Sequence, residues 1–218
     1  MRYKIRVKRI NQVFRHGSDY DSRLARLAVL YEDLRLENLA ASAKSIDALD
    51  SSGVDVRRFY FIRRSIATVR EFAEALRLLD ECPEFAPIRA KFDSERRTMW
   101  GKSMRFFARR EAYFGRIRND FGGHFGEPAT RFAINHLHDG AVAFEYAADS
   151  IKRTGNVRFK FASEVVAIGM KRHALADESH DHFRLMFRLA LAGFGHAARC
   201  AQTLAVYDLW PRFNGILP

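Results

Sequence analysis

Between Val54 and Glu81 the apolar residues Phe59, Ile62, Ile66, Val69, Ala73 and Leu76 recur three and four apart, with Phe72 and Leu79 widening the stripe. A strand sends alternate residues to one face, whereas this interval lines up one side of a helix. The pattern predicts a long helix buried in a bundle, ended by Pro83 and Pro87. Arg63, Arg70 and Arg77 recur every seven residues beside the stripe. Their expected role is to lay their stems on the core and pair with acids.

The rest of the chain supplies the partners such a helix needs. Leu24, Leu27, Tyr31 and Leu34 predict a helix over Asp19–Asp50, closed by a break at Ser51-Ser52-Gly53. Trp100, Met104, Phe107, Phe114 and Phe121 lie along one side of a helix expected from Phe92 to Phe121. Pro128 opens another, expected to reach Ala148 through Ala133, Leu137 and Phe144. A last helix is expected over Asp177–Tyr207. Period-two alternation interrupts this habit at Tyr3–Val7 and Val157–Phe161, and Val165–Ile168 is a candidate returning strand. The fold class expected is therefore mainly α, with a small antiparallel β element and a C-terminal helix.

Composition limits the classes of function. The 218 residues are 48% hydrophobic and 29% charged, a globular balance without a Pro/Gly/Ser-rich linker, and a single domain over 1–218 is expected. Cys82 and Cys200 have no metal-ligand spacing and read as reduced thiols. The N-terminus lacks an apolar signal region, and Leu185–Phe194, interrupted by Arg188, is too short to span a bilayer. A cytoplasmic protein without a membrane partner is expected. The net charge of +11 points to a polyanionic partner, most readily nucleic acid.

The segment Arg116-Ile117-Arg118-Asn119-Asp120-Phe121-Gly122-Gly123-His124-Phe125 concentrates the candidate chemistry between two expected helices. On an unbroken helix Arg118 and His124 would point apart, and Gly122-Gly123 offers the break that turns His124 back. Together they would set a permanently charged phosphate ligand beside an imidazole that titrates near neutrality, a pairing suited to phosphoryl transfer in RNA. The competing assignment is a plain helix C-terminus, capped at Gly122 or Gly123 with Arg118 near the last carbonyls. His136 and His138 face different ways on a helix, and His180-Asp181-His182 with His173 lacks a complete tetrahedral set. No phosphate loop, dinucleotide fingerprint, zinc motif or nucleophile elbow occurs, so no metal or other cofactor is expected.

Arg118-Asn119 followed by His124, with five residues between Arg and His, resembles the motif of the HEPN superfamily. The resemblance covers roughly Val54 to Ala148. It implies a HEPN-like four-helix bundle core at about 54–148, flanked by an N-terminal arm and helix (1–50) and a C-terminal strand-helix extension (150–218). It also implies a metal-independent endoribonuclease that cleaves RNA by 2′-OH attack, as in toxin, phage-defence or RNA-processing systems. Arg118 would stabilise the transition state, His124 would act as acid and base, and Asn119 would orient. Such proteins commonly form homodimers with facing motifs, and a cognate antitoxin or regulator is a further expected partner. The superfamily's inactive members supply the alternative, a non-catalytic module that binds RNA or a protein. Arg116, Lys4, Arg6, Arg158 and Lys160 are the candidate RNA-backbone contacts, the last four on the solvent face of the expected strands.

Overall fold

The computed structural model describes residues 14, 15, 17–42, 50–119, 126–138, 145, 146, 157, 158, 165, 168, 169 and 182–214, with only the backbone for part of these. The described chain is mainly α. Helix α1 (Asp19–Ser42) and helix α2 (Asp50–Asp80) are followed by a 3₁₀ turn at Pro83–Phe85 and the short α3 (Ala86–Ala90). Helix α4 (Ser94–Ile117), α5 (Glu127–Ile134) and α6 (His182–Leu204) come next. A widened π-type turn over Ala205–Leu209 leads into α7 (Trp210–Asn214). Among the described residues no helix is long and apolar enough to cross a membrane.

The apolar stripe of α2 does what its spacing demands. Ile62, Ile66, Val69, Phe72, Leu76 and Leu79 are buried, and Ala73 is partly buried at the edge. They share one cluster with Tyr20, Leu24, Leu27 and Leu34 of α1, Trp100, Phe107, Phe114 and Ile117 of α4, and Met186, Cys200 and Leu204 of α6. Helices α2 and α6 approach closely at Gly193, where a Cβ would lie 2.8 Å from both methyl carbons of Val69. The absent side chain permits that contact. Phe85, Phe92, Trp100 and Tyr207 close the α2–α4 corner as an aromatic group. Its polar atoms are satisfied by Trp100 Nε1–H donating to Asp80 at 3.0 Å and Tyr207 O–H donating to Asp93 at 2.7 Å. The same Asp93 caps α4 by accepting from the Arg96 N–H.

Several expectations are corrected. Ser51-Ser52-Gly53 is no break, since α2 begins at Asp50 and carries these residues in its first turn. The helix opened by Pro128 stops at Ile134 instead of reaching Ala148. There the His136 N–H bonds back to the Ala133 carbonyl in a tightened turn, and Asn135, a poor helix former, stands at the cap.

The expected antiparallel β element built from Tyr3–Val7, Val157–Phe161 and Val165–Ile168 is not formed among the described residues. Pairing reduces to a two-residue antiparallel bridge in which Glu145 faces Arg158 and Tyr146 faces Val157. Val165 and Ile168 are helical, as a continuous apolar run permits equally well. Tyr3–Val7, 159–161 and 166–167 lie outside the described residues.

The final helix passes through Pro211, which lacks an N–H and crowds the carbonyl four residues earlier. The wider turn over Ala205–Leu209 takes up that conflict.

Candidate functional site

Helix α4 delivers the candidate residues at its C-terminal end. The Arg118 N–H still bonds to the Phe114 and Gly115 carbonyls, and the chain widens into a π-type turn at Arg118–Asn119. Ile117 is buried and pins this end to the core, which leaves Arg118 and Asn119 exposed.

The Arg118 guanidinium leans back onto α2, with Nη2 2.7 Å from Glu71 Oε1. The second oxygen of Glu71 accepts from Arg26 Nη2 of α1 at 3.0 Å. One carboxylate is thus shared by guanidinium groups from two helices, and the group carries a net positive charge. Half of the Arg118 side chain is exposed. Among the described residues a single ion pair fixes the guanidinium, and its half-exposed side chain offers further N–H groups to an anion. In the bare chain Arg118 pairs with a carboxylate rather than with the last helix carbonyls.

Among the other candidates, Arg116 is exposed on the turn before Arg118. His124 lies outside the described residues, as do Lys4, Arg6 and Lys160. Arg158 is described only by its backbone, opposite Glu145 in the bridge. The structure therefore joins Arg118 to Glu71 and Arg26, two residues that sequence reasoning did not reach. No local signal identifies Glu71, because the contact depends on how α1, α2 and α4 pack.

Of the arginines flanking the α2 stripe, Arg70 and Arg77 pair with acids as expected, and Arg63 does not among the described residues. Arg70 bridges Glu74 and Glu111, and Arg77 pairs with Glu81 at 2.7 Å. Arg63 lies over the Tyr60 ring with its Nε buried and unpartnered, and burial lowers its pKa.

A second polar cluster was also missed. His196 Nδ1 on α6 lies 2.9 Å from Ser103 Oγ on α4. Ser103 itself donates to the Met99 carbonyl, so the imidazole N–H is the donor in their bond. Burial, then Arg199 and Arg110, hold the imidazole below its usual pKa. The ring stacks on Phe106 at 4.3 Å between centroids. Nearby Cys200 is buried, which pushes its thiol up to about 12. This cluster joins two helices inside the bundle. An apolar cavity of about 250 Å³ between α1 and the α6 end is lined by Leu24, Tyr31, Phe72, Ala201 and Leu209 among others. Its scarcity of polar groups suits packing better than catalysis. No group of His, Cys, Asp and Glu able to hold a metal occurs among the described residues.

No family model matches the chain, and comparison with curated proteins and with solved structures likewise gives no match.

Proposed function

We propose that the protein is a metal-independent endoribonuclease of the HEPN type. The observation that carries the reading is the half-exposed Arg118 guanidinium, fixed by Glu71 at 2.7 Å and followed directly by the exposed Asn119. A guanidinium so placed can meet the charge that develops on a phosphate in the transition state. His124, six residues on, takes the proton of the RNA 2′-hydroxyl. The 2′-oxygen then bonds to phosphorus, the P–O5′ bond breaks, and a returned proton completes the 5′-hydroxyl product. The other product carries a 2′,3′-cyclic phosphate. Asn119 orients the phosphate, and Arg116 holds the backbone beside it. Lys4, Arg6, Arg158 and Lys160 are proposed as outlying backbone contacts. A homodimer with the 118–124 segments facing each other, controlled by an antitoxin or other regulator, completes the reading.

A second reading rests on the Arg118–Glu71 ion pair: a non-catalytic RNA-binding module in which Arg118 is spent on structure. Cleavage of single-stranded RNA in EDTA, scored for cyclic phosphate ends, separates the two. Arg118→Ala and His124→Ala should each abolish cleavage with the helical circular dichroism unchanged. Glu71→Gln should leave RNA binding in place and lower the turnover number, because it frees Arg118 but no longer positions it. Absence of cleavage by the parent protein, or cleavage that survives both alanine variants, rejects the catalytic assignment.

A further inference from the structure

Helix α4 carries an outward stripe of cations that continues the candidate site back along the helix. Lys102, Arg105, Arg109, Ala112, Arg116 and Asn119 follow one another at intervals of three, four, three, four and three residues, and all six are exposed. From Lys102 to Arg116 the stripe runs about 21 Å along the helix axis. It leads straight to the Arg118–Asn119 turn.

Among the described residues no acid pairs with the cations of this stripe. Lys102, Arg105, Arg109 and Arg116 make no ion pair among the described residues, and Arg105 lies back along its own helix toward Gly101. The acids within α4 are Glu95 and Glu111, and Glu111 is turned to Arg70 of α2. Several arginines elsewhere on the molecule meet local carboxylates, as with Arg35 and Glu32, Arg77 and Glu81, Arg89 and Asp80, and Arg131 and Glu127. The C-terminal helix dipole accounts for a cation at Arg116 but not for Lys102, Arg105 or Arg109, which lie beyond its reach. Among the described residues the stripe is consequently a row of unneutralised charge on a rigid element.

We infer that the outward face of α4 binds the phosphate backbone of single-stranded RNA along Lys102, Arg105, Arg109 and Arg116, and feeds the strand toward Arg118. A membrane surface fits less well. An amphipathic membrane-binding helix needs large apolar residues beside its cations. None of the large exposed apolar side chains lies on α4, whose small residues there are Ala108 and Ala112. Contacts of this kind position a strand without reading its sequence. The choice of RNA as the polyanion rests on the reading of 116–124 above; the binding face itself does not.

The test uses the full chain and a short 2′-O-methyl oligoribonucleotide, which has no free 2′-hydroxyl and reports binding whether or not the protein cleaves. Each phosphate neutralised on a single strand contributes about 0.7 to the slope of log affinity against log salt. Replacing Lys102, Arg105, Arg109 and Arg116 with Gln should therefore flatten the slope by about 3 and weaken binding on the order of 100-fold at physiological salt. A control replaces Arg35, Arg77, Arg89 and Arg131 with Gln, removing equal charge from arginines already paired, and should leave the slope within about 1 of the parent. Ala112→Glu removes no cation, sets an acid between Arg109 and Arg116, and should flatten the slope by about 1. Equal losses in both fourfold variants overturn the inference, as does an unchanged slope in the stripe variant. Preferential binding to phosphatidylserine vesicles that is lost in the stripe variant also overturns it. Stripe-dependent binding without cleavage of ordinary RNA keeps the inference and rejects only the catalytic reading.

Discussion

Arg212 and Arg118 each hold a carboxylate at 2.7 Å, but the two contacts sit in different surroundings. Arg212 joins Asp21 and Asp208, whose side chains are 1% and 4% exposed, and Tyr20 donates its hydroxyl to the same Asp208. Arg15 adds its backbone N–H and Nε to Asp21. This closed network ties the start of α1 to the turn before α7, 188 residues apart from Tyr20 to Asp208. Arg118 shares an accessible Glu71 with Arg26 and keeps half its side chain in solvent. The same pair of functional groups fastens the fold in one place and stays available to a ligand in the other. Burial of the acid decides which.

The largest expected effect breaks that comparison directly. Arg212→Met leaves buried Asp208 without its cation and Asp21 with Arg15 alone, and should cost about 3–5 kcal/mol in urea unfolding. Arg118→Met should cost less than about 1 kcal/mol, because water screens Glu71 and Arg26 remains. Similar losses in the two variants would show that burial is not the deciding variable.

The two regions were unequally visible in the sequence. The bundle could be read because Ile62, Ile66, Val69, Leu76 and Leu79 repeat at the helical period, and that regularity persists in the buried core. The arginine pairing beside the stripe followed from the same period, since Arg77 and Glu81 are neighbours four apart. Arg212 with Asp21 carries no such signal: the partners are 191 positions apart and meet only after α1 and the C-terminal turn have packed. Glu71 with Arg118 was hidden for the same reason. The helix expected to reach Ala148 failed where local turn chemistry overrode an apolar interval. The cations of α4 were in plain sight as letters. Their significance lies in the missing acids, and these are a property of three-dimensional neighbours rather than of spacing.

An acid titration offers a smaller, more selective probe of the buried network. Burial pushes the Asp21 carboxyl up, but the Arg15 backbone N–H and the Arg212 and Arg15 side chains outweigh it and hold the carboxyl below its ordinary 3.8. A depressed folded-state value means stabilisation that is complete above the ordinary value and lost as the pH falls through the folded one. Glu37 works in the opposite sense. Its burial, only partly offset by Thr68, raises its value above 4.5, so ionisation as the pH rises through that region costs stability. The unfolding midpoint of the parent should therefore fall below about pH 3.8. Asp21→Asn should flatten that acid limb, whereas Glu37→Gln should leave it in place and remove the opposing loss at higher pH. An acid limb unchanged in Asp21→Asn would mean that other carboxylates carry it.

The finest test sets Arg77 against Arg109, two exposed arginines that differ chiefly in whether an acid stands beside them. Arg77 pairs with Glu81 across one helical turn at the end of α2, where the helix dipole also favours a cation. Arg77→Gln should lower stability by about 0.5 kcal/mol and leave the salt dependence of oligoribonucleotide binding as it was. Arg109→Gln should leave stability unchanged and reduce the salt slope by about 0.7, the share of one phosphate contact. Measured on the same protein by urea unfolding and by anisotropy titration, the two variants should exchange signatures. An equal change of slope in both would mean that a neighbouring carboxylate does not withdraw an arginine from the polyanion, and that overall charge governs binding. A slope change confined to Arg109→Gln would assign the role to pairing, because both substitutions remove the same single charge from the surface.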